Sequence, residues 1–181
     1  VTAPSTAPST APDPAPSTAP DPMMEAIGRA VTEGRAGNTA SARRELLELW
    51  SATGVTGDPL HRCTLAHHLA DLHEDPTQAL AWDVRALDAA DAMTGQRVRD
   101  HQADLTVAGF YPSLHLNLAD NYRRLGSFEA AAEHIRAAGA HAPHLPAGPY
   151  GDLIRDAIRG VAEAVAARDR APRPSAPGSP A

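Results

Sequence analysis

The segment HRCTLAHH, residues 61–68, gathers the side chains of this chain with the clearest chemical potential. On a helix, Cys63 and His67 stand four apart on one face with His61 about a turn away, a spacing at which thiolate and imidazole can share a zinc ion. A catalytic zinc would keep a fourth position open, whereas a structural one would take a further ligand such as Asp71 or His73; His68 points elsewhere. The same pair reads as a Cys63 nucleophile with His67 as its base, but a helix interior lacks the oxyanion donors that acyl transfer uses. No second Cys flanks the segment and no HExxH pattern occurs. A buried, hydrophobe-like Cys63 beside groove or core histidines is therefore the preferred reading. A small metal-binding protein or hydrolase centred on His61, Cys63 and His67 is the alternative.

Other chemistry is thin. The chain has no GxxxxGK[ST], GxGxxG or GxSxG motif, so neither a phosphate loop, a dinucleotide site nor a nucleophile elbow is expected, and no cofactor is assigned. Asp88 with Asp91, and Glu74 with Asp75, are carboxylate pairs of the kind solvated helices carry. The nine histidines are scattered, which favours ordinary surface and core roles over a pH sensor. Trp50 and Trp82 fall at core spacing rather than forming a cofactor box.

Composition narrows the class further. The 181 residues carry 16 basic and 22 acidic side chains, a formal charge of −6, which argues against a protein that wraps nucleic acid through bulk charge. A single Cys excludes an intramolecular disulfide framework. No apolar run is long enough to span a bilayer, and the N-terminus shows neither the basic nor the apolar part of a secretory signal, so a cytoplasmic protein without membrane partners is expected. Every basic residue is Arg and Ala abounds, the mark of a GC-rich, bacterial genome.

The elements that would position these residues are helices. Residues 1–22, with Pro at seven positions, and residues 169–181 cannot bury enough apolar surface to offset ordering, which leaves 23–168 as the folding unit. Met23-Met24, where that unit begins, raises the prospect that the preceding tail is a start-site artefact. Within the unit, apolar residues recur three and four apart. Met24, Ile27, Ala30 and Val31 form one stripe that stops at Gly34 to Gly37. Asn38 or Thr39 caps a second stripe of Ala42, Leu46, Leu49 and Trp50 that ends at Gly54. A third runs from Leu60 to Leu72, and Asp75-Pro76 opens a fourth carrying Ala79, Leu80, Val84, Leu87 and Ala90. The stretch 94–109 is weakly amphipathic, with one short helix around Gln96 to Asp104. A helix from Pro112 to Leu125 is followed, after Gly126, by one from Phe128 to Ala138. Tyr150, Leu153, Ile154, Ile158, Val161 and Val165 make a final stripe. The class is all-α, in antiparallel pairs that must stack to cover their apolar faces.

Residues 117–143, NLADNYRRLGSFEAAAEHIRAAGAHAP, resemble a tetratricopeptide repeat. Leu118, Ala119, Tyr122, Gly126, Phe128, Ala131, Ala138 and Pro143 fall at the family's spacing, with Ala119 in place of the usual Gly and His115 in place of the leading Trp. The small residues let two helices touch, Tyr122 and Phe128 fill the space around the contact, and Gly126 permits the reversal. Leu65, Ala66, Leu69, Ala79 and Ala86 resemble a second repeat, and Ala30, Gly37, Ala42, Leu46 and Leu49 a degenerate first. The chain is also similar to small single-domain members of streptomycete type that carry HRCTLAHHLAD and FYPSLHLNLAD.

That resemblance implies a right-handed solenoid of about three repeats with a C-terminal capping helix, working as a non-catalytic module that holds a peptide or helix in its concave groove. By matching position, the groove takes Met24, Ile27, Val31 and Arg35 from the first repeat. Leu60, Cys63, Thr64, His67, Ala70 and Asp71 come from the second, and Ser113, Leu116, Asn117, Asp120, Arg123 and Arg124 from the third. Asn117 and the two arginines suit a peptide backbone or carboxylate, while the arginines equally suit a solvated helix end. The absence of Lys speaks against a carboxylate clamp for chaperone tails. Exposed ends of a short array make a homodimer a further expectation.

Overall fold

The structure, a computed structural model, describes residues 20–97 and 108–173. Most of the short helix expected over Gln96–Asp104 lies outside those ranges, as do residues 1–19 and 174–181. Seven α-helices and one 3₁₀ turn, and no strand, make up the described residues. None of these helices is long and apolar enough to cross a membrane.

Helix α1 (Pro22–Arg35) starts where Asp21 accepts hydrogen bonds from the amides of Met23 and Met24 and where Pro22 supplies a preset φ. It ends in a Schellman turn, with Asn38 N–H on the Glu33 carbonyl and Gly37 at φ 96°. Helix α2 (Thr39–Thr53) takes Asn38 at its N-cap position, but that side chain donates to Glu33 Oε2 instead of capping. Helices α3 (Pro59–Asp71) and α4 (Pro76–Arg97) both begin with Asp-Pro, and Asp58 and Asp75 accept from the amides of Leu60 and Thr77. Helix α4 runs past the expected weak stretch at Thr94 because Met93 continues the buried stripe of Ala86, Ala89 and Ala90.

Helix α5 (Tyr111–Leu125) closes on Gly126 at φ 86°, which turns the chain directly into α6 (Phe128–His141). A 3₁₀ turn (Ala142–His144) and the buried Leu145 lead to α7 (Pro149–Ala166). Each helix packs on the next in sequence, and α1 also meets α3 as α5 meets α7.

Three apolar clusters follow one another along the chain. Ile27, Ala30, Leu46, Leu65 and Leu69 form the first, and Cys63, Ala66, Ala86, Ala89, Ala90, Met93 and Leu114 the second. The two meet at Trp50 and Trp82, whose rings stand edge to face at 5.2 Å. The third joins Leu116, Ala119, Ile135, Ala138 and Val161, with Ile154 and Ile158 of α7 against it. Alanine at the helix contacts explains how seven aromatic residues suffice, since close backbones leave little space for larger groups to fill. Leu118, Ala119, Ala131 and Ala138 are buried, and Tyr122 and Phe128 partly so. Val84, expected on the apolar stripe of α4, is 47% exposed because that stripe runs through the alanines instead.

Candidate functional site

The helical stack leaves an open cleft of about 1210 Å³ along one side. Its walls come from Val31, Gly34 and Arg35 of α1, from Cys63, Thr64, His67, His68 and Asp71 of α3, and from Ser113 and Asn117 of α5. Tyr150, Leu153 and Ile154 of α7 complete it, with Arg43 and the loop Leu72–Asp75 at the rim. Apolar positions and a few convergent polar groups thus share one concave surface.

The polar groups are unevenly used. Thr64 Oγ1 donates to the Leu60 carbonyl and Ser113 Oγ to that of Phe110, so both hydroxyls are spent locally. His67 Nδ1 is buried and has no hydrogen-bond partner. Burial holds the His67 pKa below the ordinary imidazole range, against the pull of Asp71, which keeps the ring neutral. Asp71 receives Asn117 Nδ2 at 3.5 Å and lies 3.9 Å from His68 Nδ1. At the rim the Arg43 guanidinium donates to the Leu72 carbonyl, and burial together with that cation lowers the His73 pKa.

Of the residues expected in the groove, Cys63, Thr64, His67, Asp71, Ser113 and Asn117 line the cleft, as do Val31 and Arg35. Leu116 does not. It belongs to the third apolar cluster, because α7 covers its face of α5. Arg123 is corrected as well: its side chain is wholly enclosed, paired with Asp120 at 2.7 Å and donating to the carbonyls of Asp169 and Ala171. That contact holds the chain beyond the expected boundary at 168. Arg124 donates to the Glu74 carbonyl, and Asp120 is 8% exposed. Met24, Ile27 and Leu60 pack in the apolar clusters rather than on the cleft.

The triad considered for metal or hydrolytic chemistry does not assemble. His61 Nε2 pairs with Asp21 Oδ2 at 2.6 Å, drawing it toward the start of α1. Cys63 is 1% exposed, and burial pushes its thiol up to about 12, the reverse of an activated nucleophile. Among the described residues, no three His, Cys, Asp or Glu side chains group as a metal site would require.

A second, smaller hollow of about 40 Å³ opens beside the cleft, and Asp71, His73 and Asn117 line both. Asp83, Asp120, Asn121 and Arg124 are among its other lining residues. Asp83 is 1% exposed, with Oδ2 accepting from Asn121 Nδ2 at 2.8 Å and the Asn117 amide also favouring its charged form. Burial, reinforced by Asp71, raises its pKa well above the carboxylate range. The sequence offered a sign of this residue, since Asp83 stands in register with Ala79, Ala86 and Ala90 on the buried stripe of α4. The cleft contributions of His68 and the α7 residues also escaped sequence reasoning; on α7 the apolar stripe gave the face but not the surface it meets.

These elements define an all-α protein of sequentially packed helices with an open, mixed-polarity cleft. Comparison with protein-family models, curated proteins and solved structures finds no match to this chain.

Proposed function

We propose that the chain is a non-catalytic binding module, a solenoid of three tetratricopeptide-like hairpins capped by α7, which holds an extended peptide or a helix of a partner protein in its cleft. The observation that carries this reading is the cleft itself: α1, α3 and α5, the first helix of each hairpin, all contribute to one surface that α7 extends. Its size of about 1210 Å³ exceeds what a compact small molecule fills. Tyr150 and Leu153, 52% and 60% exposed, offer apolar anchors, while Asn117 offers hydrogen-bonding capacity. A buried, protonated Cys63 favours this reading over the hydrolase.

Thr64→Trp, which fills the middle of the cleft from a side chain already half-buried there, tests it. Partners recovered from the source organism by the parent chain and lost with Thr64→Trp, at unchanged helicity and melting temperature, are the expected result. Equal recovery by both proteins would move the binding surface elsewhere.

A further inference from the structure

Helix α7 is the wall of the cleft that the chain holds least by burial. Two of its 18 residues, Gly151 and Val161, are buried, against nine of the 15 in α5. It packs on α5 and α6, yet through Tyr150, Leu153 and Ile154 it completes a surface shared with α1 and α3. Elements with few buried contacts are those that open first in a folded chain.

Much of what holds α7 in place lies beyond its end. The chain leaves it through Arg168, a non-glycine residue at φ 53°, a conformation that is costly for an L side chain and needs support from its surroundings. That support comes from α6, where the Arg168 guanidinium lies 4.8 Å from the centre of the Phe128 ring and 3.7 Å from Glu129 Oε1. The carbonyls of Asp169 and Ala171 then accept from the enclosed Arg123, and Arg170 Nε donates to the Arg124 carbonyl at 3.1 Å. Asp169 Oδ1 holds this strap in shape by accepting the Ala171 amide at 2.8 Å.

The other end of α7 is tied differently. Arg155 donates to the carbonyls of Leu145 and Pro146, inside the joint that enters the helix through Gly148 at φ 111°. Those bonds travel with the helix when it swings out, whereas the bonds of the strap to α5 and α6 must break.

We propose that α7 is a jaw of the cleft, opening as one unit about the joint 145–148, and that the strap 168–171 is its latch. Opening withdraws the Tyr150 and Leu153 anchors, and a peptide that touches them favours the closed form through those contacts. This consequence for binding rests on the peptide-binding reading above; the opening itself does not.

Val161→Cys tests it in the full chain by placing a thiol on the enclosed face of α7. Cys63, 1% exposed in the second cluster, serves as the reference for unfolding of the whole chain. Labelling at pH 8 with a thiol reagent, resolved by site in a mass spectrometer, should modify the introduced thiol about ten times faster than Cys63, or more. Asp169→Ala combined with Arg170→Ala removes two hydrogen bonds of the latch, and should speed the introduced thiol about tenfold while leaving Cys63 unchanged. Equal rates at the two thiols, no response to the latch substitutions, or a parallel rise at Cys63 would each overturn the proposal. Should Val161→Cys not fold, amide exchange over 152–166 of the parent chain decides, and exchange as slow as that of α5 overturns it. A partner that Thr64→Trp abolishes but that leaves the introduced thiol equally reactive would refute the jaw's hold on the peptide and leave the cleft reading standing.

Discussion

Arg123 and Asp120 sit one turn apart on α5, with Nη2 2.7 Å from Oδ1 and the arginine wholly enclosed. The remaining guanidinium donors reach the carbonyls of Asp169 and Ala171, 46 and 48 residues further along the chain. One side chain thereby fastens the segment after α7 to the end of α5.

Arg123→Met should cost about 3–5 kcal/mol, because it leaves Asp120 without its cation and strands two carbonyls. Urea unfolding measures it. A midpoint equal to that of the parent would return Arg123 to solvent.

Asp83 sets a pH dependence of definite sign. Its raised pKa means that the folded chain holds this proton more tightly than the unfolded chain. Stability should therefore fall as pH rises from the ordinary Asp range, about 3.9, toward the raised value, with a slope approaching 1.4 kcal/mol per pH unit, and level off beyond it. Asp83→Asn should flatten that part of the curve and raise the melting temperature at neutral pH. An unaltered profile would mean that Asp83 is solvated.

His115 works in the opposite direction. Burial and the neighbouring His134 and His141 depress its pKa to about 4, and its Nδ1 lies 3.0 Å from that of His134, so the two rings cannot both carry a proton between them. Tyr111 and Tyr122 extend the stack at either end. The contribution is present above about 6.5, the unfolded value, and is lost as pH falls toward about 4. His115→Gln should lessen this acid sensitivity, and the His115 ring signal in NMR should not titrate near pH 6.5. Titration there would refute the depressed pKa.

Cys63 should resist thiol reagents at pH 8 in the folded chain and react fully in urea, because its thiol is enclosed and its pKa lies near 12. Rapid labelling of the native protein would revive the nucleophile reading.

The helices were legible because their punctuation is local: Asp-Pro starts at α3 and α4 and glycine stops at Gly37, Gly54 and Gly126 each act within a few residues. Eight of the residues expected in the groove line the cleft and were readable for a similar reason, since helical register fixes which side chains share a face. Leu116 and Arg123 were not, because what covers them, α7 and the segment behind it, is brought close only by packing. Arg123 at a helix end has the same sequence signature whether it faces water or two carbonyls. Asp83 was readable in principle, as a carboxylate on an alanine stripe.

The contact between Trp50 and Trp82 spans the first and second clusters, while the third contains no tryptophan. Indole fluorescence is therefore a reporter for the N-terminal two thirds of the stack and blind to the remainder. Where cooperativity is carried by nearest neighbours, loosening that begins at α7 lowers the helical circular dichroism before the emission changes, and the two optical transitions separate.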